Sequence, residues 1–412
     1  ARVKLRTGKL GQARQALVTL AEAEGRAAKA APEGLAGPPR GHRETVLLLS
    51  LVEAFMGRSE PSHALARQGI ALGERLESPF ITAVGHMRLG HALQLGPSTG
   101  ERVNPAPLPP PLRKASRAAY SEAISWYRSA IALGDRIAVR RTRTEAMWGM
   151  TRAYGYSGDL ERAAQCAAEG IETAVEAGDI WLVGLAGLAL GASYVLAGRS
   201  ETALDSLTAA LSAFRNCNDT FGRAATRLWM SLAYLDQANQ GGGAGAMSHF
   251  LTSVEAALGL CEANGYDFLF TGPSLLGPPD ERRLAPLLIE ARSRQVHPAY
   301  AQHLLGQMGI PAIKAHPGYR LTVEALGAFR VWRGSEEIAG REWQRDKARQ
   351  LFQLLLAERG SNRGGRWLQR DQIVERLWPQ LAPDAAVRDF KVALNALNKA
   401  LEPASTAASR AF

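Results

Sequence analysis

Residues Ile171–Phe214 read IETAVEAGDIWLVGLAGLALGASYVLAGRSETALDSLTAALSAF, and this stretch decides the fold. Apolar segments with helical spacing are interrupted at Gly178-Asp179 and again at Gly198-Arg199, and such glycine-plus-polar pairs are typical of tight turns. The pattern predicts two helices joined by a short turn. One pair of this kind cannot bury its own apolar face, whereas several stacked pairs can.

The same pattern recurs along most of the chain. Related segments begin at Ile70, Ile131, Ile171, Leu211 and Leu258, so two of the four intervals are 40 residues long. The arrangement resembles tetratricopeptide (TPR) repeats, in particular the longer-period version in the arm of MalT-like regulators. We therefore predict a TPR-like α-solenoid over residues 1–310, and we expect it to bind a protein partner or an effector on a concave face.

The two longer intervals contain insertions, which we place near residues 96–114 and 239–246. The first contains NPAPLPPP at 104–111, which favours a surface loop over a proline-rich ligand for a recognition module. The second contains GGGAG at 241–245, a flexible connector without the Lys-Ser/Thr that ends a phosphate-binding loop. No nucleotide cofactor is expected.

Residues 180–197 carry no charge over a length that could cross a bilayer. They also occupy a repeat position that charged helices fill elsewhere. We therefore interpret them as a buried repeat helix and expect no membrane partner.

The composition narrows the classes of function. The net charge is +10, which favours polyanionic partners such as nucleic acid. Cys166, Cys217 and Cys261 form no CxxC pair, which argues against a zinc site and fits a reducing cytoplasm. The charged N-terminus does not resemble a signal peptide, and the chain starts inside a helical pattern, so we expect a preceding portion. No metal and no other cofactor are predicted.

The helical-repeat pattern of the sequence ends near Pro311. Residues 311–319 predict a linker, and residues 320–403 predict a small α+β domain. Alternation at Leu321, Val323 and Ala325 and then at Phe329 and Val331 predicts two strands. Three helices follow, at about 345–358, 371–378 and 383–401, and residues 404–412 form a tail.

The third of these helices has two different faces. Its apolar side chains recur at helical spacing and share one face: Phe390, Leu394, Leu397 and Leu401. The opposite face presents cations and amides, with one residue at its margin: Arg388, Lys391, Asn395, Lys399 and, at the margin, Asn398. Lysine and arginine can contact phosphates or guanine, and asparagine can bond adenine, whereas the plainer alternative is a solvated helix face.

Four motifs in this segment resemble the OmpR-like winged helix of SARP-type regulators (the Streptomyces antibiotic regulatory protein class). They are LTVEALGAF at 321–329, WQRDKAR at 343–349, LWP at 377–379 and DFKVALNAL at 389–397. The resemblance implies that the last helix lies in the major groove and that Trp343, Trp378 and Phe390 form the core. It also implies that Lys347 and Arg349 lie at the start of the first helix. Together with Arg370 they belong to a basic cluster that we assign to DNA binding. The hairpin wing expected after Pro403 is absent or only begun.

These observations favour a DNA-binding transcription regulator in the cytoplasm. Its expected partners are double-stranded DNA, a protein or effector on the arm and, by resemblance, RNA polymerase. The alternative is a protein-interaction scaffold whose last domain is a docking module or an inactive relic. An enzyme is not expected, because no HExxH or GxSxG motif occurs.

Overall fold

A computed structural model describes residues 1–30, 42–95, 111–240, 243–309, 321–325, 327–333, 336–360 and 368–402. The chain divides into two compact units, one within residues 1–309 and one centred on residues 310–412. Most of the described residues are helical, which confirms the mostly α prediction. The predicted linker, tail and wing lie outside the described residues.

The first unit consists of helices that pack as consecutive antiparallel pairs. Helices α7, α9 and α11 begin at residues 140, 180 and 220, which confirms the repeat of 40 residues. The helices of this unit are α1 (Arg2–Arg6), α2 (Leu10–Ala30), α3 (His42–Phe55), α4 (Ser59–Arg75), α5 (Pro79–Leu93), α6 (Pro111–Arg136), α7 (Arg140–Ser157), α8 (Leu160–Glu176), α9 (Ile180–Leu196), α10 (Ser200–Asn216), α11 (Thr220–Asn239), α12 (Gly243–Asn264), α13 (Phe268–Thr271), α14 (Ala285–Ser293) and α15 (Pro298–Gln307).

The first helix of each pair lies on the inside of the stack. Helices α3, α5, α7, α9 and α11 contact one another in succession, so they form an inner layer. Helix α9 is buried along nearly its whole surface, whereas α8 buries a single stripe of small residues at Ala163, Ala167, Gly170 and Ala174. Since an inner helix meets protein on every side, it can be apolar all round. This packing explains the charge-free stretch at 180–197 and supports a helical-repeat solenoid.

Glycine and aspartate define the ends of these helices. Gly158 and Gly178 adopt positive φ angles of 96° and 67°, a conformation that suits glycine after the last turn of a helix. Asp159 then caps α8 by accepting a hydrogen bond from the backbone N–H of Arg162 at 3.1 Å. Such a cap stabilises a helix by roughly 1 kcal/mol. The Gly-Asp pairs therefore mark the repeat boundaries for a physical reason.

Both predicted insertions are shorter than expected. Helix α6 begins at Pro111, so residues 111–114 are helical, because the first position of a helix tolerates proline. Helix α11 continues to Asn239 and α12 begins at Gly243. Phe250 and Val254, further along α12, are fully buried. Their packing stabilises the helix although it begins with glycines. Residues 104–110 of the proline run lie outside the described residues.

The second unit combines a small sheet with three helices. The sheet is antiparallel, in the order β1 (Leu321–Glu324), β2 (Arg330–Arg333) and β3 (Glu336–Glu337). In its register Val323 lies opposite Val331 and Trp332 lies opposite Glu337. The sequence pattern did not predict strand β3. The helices are α16 (Asp346–Gly360), α17 (Arg370–Leu377) and α18 (Pro383–Leu401).

The core of the second unit lies between the sheet and these helices. Trp343 and Trp378 are buried there, as the resemblance implied, and Phe390 packs against the same cluster while partly exposed. Small residues on α18, among them Ala393 and Ala396, let that helix approach its neighbours closely. Within the parts of the chain that are described, no helix is long and apolar enough to cross a membrane.

Candidate functional site

Helix α18 presents a continuous exposed stripe, which we call the α18 stripe. Its members are exposed and project from one face of a 19-residue helix: Arg388, Lys391, Val392, Asn395 and Lys399. The predicted groove-facing residues Arg388, Lys391, Asn395 and Lys399 are therefore all exposed and adjacent. Asn398 lies at the margin of the stripe and is half-buried.

The opposite face of α18 is fixed to the rest of the second unit. The guanidinium of Arg333, only 7% exposed, donates to the carbonyl of Ala400 at 3.4 Å and pairs with Glu342. The rings of Trp378 and Phe390 meet edge to face at 6.3 Å between centroids. These contacts connect the sheet and α17 to α18, so the α18 stripe is held in a fixed orientation within the unit.

Two residues that we assigned to DNA binding have their charged groups engaged inside the unit. The Nζ of Lys347 donates to the carbonyl of Leu377 at 2.6 Å and lies 5.6 Å from the centre of the Trp378 ring. The guanidinium of Arg349 donates to the carbonyl of Phe329 at 2.9 Å and lies over its ring. Both side chains are half-buried and bonded within the unit, so neither is a member of the α18 stripe, although Lys347 lines a shallow recess with Asp389 and Ala393 of α18.

The third basic residue outside α18 behaves differently. Arg370 is exposed at the start of α17, where its Nε contacts Asp371 at 3.0 Å. An ion pair between two exposed neighbours is weak and easily exchanged. Arg370 therefore keeps a cation available to a polyanion.

Sequence reasoning missed two members of the exposed surface of α18. Val392 is 41% exposed within the stripe, although it is apolar. Asp384 is exposed one turn before Arg388, in the first turn of the helix. Helical spacing could have predicted their exposure, because positions 384, 388, 392, 395 and 399 share one helix face.

A second polar cluster lies inside the first unit. Arg88 and Glu145 form an ion pair that is buried on both sides, and His91 lies beside it with no exposed surface. Burial alone would raise the pKa of Glu145, but the Arg88 guanidinium holds it at about 2. Burial, and then the charge of Arg88, lowers the pKa of His91 to about 3. Neighbouring protein groups rather than water therefore determine the protonation states of Glu145 and His91.

The described residues bring together no group of three His, Cys, Asp or Glu side chains that could hold a metal ion. Of the cysteines, Cys261 is buried, whereas Cys166 and Cys217 are partly exposed.

The structure defines a class of protein: a helical-repeat chain that also carries a small α+β unit with an exposed cationic helix face. No protein-family model matches the sequence, and neither does any curated protein. Among solved structures the chain is similar to one described as a Rap protein complexed with competence and sporulation factor. The two are 11% identical, the TM-score is 0.32, and the alignment covers 76% of this chain and 94% of that chain. The repeat assignment rests on the helix packing described above.

Proposed function

We propose that this protein is a DNA-binding transcription regulator. In this proposal α18 reads the major groove of double-stranded DNA, and the repeat unit binds a protein or effector. The observation that carries the proposal is the α18 stripe, in which cations and an amide are exposed together on a helix whose other face is core. A major groove admits one such helix.

The residue types in the stripe match the chemistry of a duplex. Lys391 and Lys399 can contact phosphates, Arg388 can pair with guanine, and Asn395 can pair with adenine. Val392 supplies the apolar contact that the methyl group of thymine accepts. The net charge of +10 adds long-range attraction to the phosphate backbone.

The arrangement of the second unit also supports the proposal. A small sheet followed by three helices, with the cationic face on the last one, agrees with the winged-helix plan of the SARP-type resemblance. That resemblance adds RNA polymerase as a further partner. The proposal places the protein in the cytoplasm and assigns it no catalytic step.

Selection of duplexes from a random library, followed by titration with the full chain, tests this function. Lys391→Ala and Arg388→Ala should each weaken binding of the selected duplex, by about 1–3 kcal/mol where the residue contacts a base edge. Losing a phosphate contact should instead lower the salt dependence by about one unit of slope. Arg136→Ala is the matched control, because Arg136 is an exposed cation on α6. Equal effects of all three variants would refute the groove assignment.

A protein-interaction scaffold is the second candidate. The specific observation in its favour is that Val392 and Leu381, 41% and 43% exposed, place apolar surface on the second unit. Failure of the wild-type chain to bind any duplex at about 50 mM salt, where electrostatic attraction is at its strongest, would favour this candidate over DNA binding.

A further inference from the structure

A group of arginines lies where α10 ends and α11 begins. Arg215 is exposed in the last turn of α10, and Arg223 and Arg227 are half-buried on successive turns of α11. We call these residues the arginine cluster. Burial and then the charge of Arg215 lower the pKa of Arg227, with a smaller contribution from Arg223. The cations therefore lie close enough to repel one another.

The arginine cluster has no counter-charge in the described part of the chain. No residue there forms a hydrogen bond or an ion pair with a guanidinium group of the cluster. Asp219 lies one turn before the cluster, but it is buried. Its oxygens accept hydrogen bonds from the backbone N–H groups of Phe221 and Gly222 and from the indole of Trp181. Half-buried cations without an anion are costly, so the cluster has an unused capacity for an anion.

The same position in an earlier repeat is neutralised by carboxylates. Arg143 of α7 and Arg223 of α11 are separated by two repeats of 40 residues, so they are equivalent. Arg143 pairs with Asp135 at the end of α6 and with Glu169 of α8, both at 2.7 Å. The equivalent of Asp135 is Arg215. A guanidinium therefore stands in the later repeat where the earlier one has a carboxylate.

Two further positions differ between these repeats in the same direction. Ala256 of α12 takes the position of Glu169, because each precedes the start of its repeat segment by two residues. Arg227 takes the position of Met147, a side chain that is 7% exposed. The α11 repeat therefore lacks both carboxylates that neutralise Arg143, and it carries additional cations in their vicinity. This concentration of positive charge indicates an anion that the repeat itself does not supply.

The repeat also places the arginine cluster on the outer side of the solenoid. Arg143 contacts both outer helices that flank it, so its equivalent Arg223 lies on the side of α11 where α10 and α12 meet it. Tyr234 lies further along the same face of α11, and the ring of His249 from α12 stacks on it at 5.1 Å between centroids. In the earlier repeat an open recess lies beside Tyr154, the equivalent of Tyr234. The cluster is therefore separate from the inner layer of helices.

We propose that the arginine cluster binds a small molecule that carries a phosphate group. A phosphate monoester concentrates about two negative charges and several acceptor oxygens on one group, so it can pair with more than one guanidinium. A carboxylate fills a single guanidinium fork, and each phosphate of a nucleic-acid backbone carries a single charge. This inference rests on the effector-binding half of the proposed function, which it makes chemically specific, and it is independent of DNA binding.

Isothermal titration calorimetry of the full chain with inorganic pyrophosphate, at constant ionic strength and without DNA, tests the proposal. Wild type should bind pyrophosphate saturably. It should bind dimethyl phosphate, a singly charged mimic of the nucleic-acid backbone, at least about tenfold more weakly. Arg227→Met and Arg215→Asp introduce the residues that the earlier repeat has at the equivalent positions. Each should weaken pyrophosphate binding by about tenfold or more.

The matched control is Arg136→Asp, because Arg136 is an exposed cation in the last turn of α6 and this change removes the same charge as Arg215→Asp. The affinity for pyrophosphate should be unchanged in this control and in Lys391→Ala on α18. Circular dichroism of the helices verifies that each variant is folded. If Arg227→Met does not fold, Arg215→Asp decides, since Arg215 is exposed.

Three results would overturn the proposal. They are the absence of saturable pyrophosphate binding by wild type, an unchanged affinity in the folded cluster variants, and an equal loss of affinity in Arg136→Asp. Tighter binding of dimethyl phosphate than of pyrophosphate would also overturn it, because the cluster would then suit a nucleic-acid backbone. Since these titrations contain no DNA, their failure is distinguishable from a failure of α18 to bind a duplex.

Discussion

Helices α7 and α18 both carry charged residues, but they use them in opposite ways. Glu145 and Arg152 of α7 are 3% and 2% exposed, so protein groups determine their state. Arg388 and Lys391 of α18 are exposed and face water. The difference teaches that a buried charge serves stability or a specific ligand, whereas an exposed row of charges serves long-range attraction to a large partner.

The largest expected effect concerns the buried ion pair. Glu145→Gln should lower the free energy of unfolding by about 3–5 kcal/mol, because Arg88 would remain buried without its counter-charge. A urea titration monitored by the circular dichroism signal of the helices measures this change. Asp389→Asn on α18 is the matched control, since Asp389 is exposed, and its effect should stay within about 0.5 kcal/mol. Similar effects of both changes would remove the contrast between the helices.

Apolar side chains should show the same contrast. Leu185 on the inner helix α9 has no exposed surface, so Leu185→Ala should cost about 2–5 kcal/mol of unfolding free energy. Val392 on α18 is 41% exposed, and Val392→Ala should cost less than about 0.5 kcal/mol. Both variants can be compared by denaturant titration. A costly Val392→Ala would mean that the exposed face of α18 is itself part of a packed core.

Acid should weaken the first unit through His91. Its pKa falls from 6.5 to about 3, mainly through burial and then through Arg88, while Glu145 acts in the opposite direction. The unfolded chain therefore binds a proton first, and stability is lost as the pH falls from 6.5 towards 3. The slope from this group is at most about 1.4 kcal/mol per pH unit.

Thermal unfolding at several pH values measures this loss. His91→Gln should flatten the curve between pH 6.5 and 4.5. The contribution of Glu145, whose pKa falls from 4.5 to about 2, is lost only below that range. Arg88 faces His91 from the same helix, and Glu145, Arg152 and Tyr127 face it from neighbouring helices. An unchanged curve in the variant would show that His91 is not the acid-sensitive group.

Sequence reasoning succeeded where a feature is local and periodic. The Gly-Asp pairs predicted the repeat boundaries, and the spacing of leucines predicted α18 with both of its ends. It did not reveal the features that depend on distant contacts. The positions of Lys347 and Arg349 depend on carbonyls of Leu377 and Phe329, which no spacing reveals. The buried non-helical segment at 273–278 depends on contacts such as that between Arg152 and Ser274, which are 122 residues apart.

The smallest expected effect concerns an acidic residue on the cationic helix. Asp384 is exposed one turn before Arg388, where it opposes an approaching phosphate but favours the positive end of the helix dipole. Asp384→Asn should therefore strengthen duplex binding by less than about 1 kcal/mol while lowering stability by about 0.3–1 kcal/mol. Glu60→Gln in the first turn of α4 is a matched control for the loss of stability, because it lies in the repeat unit. The gain in affinity should disappear at high salt, since exposed charges are screened there, whereas a gain that persists would place Asp384 in direct contact with a partner.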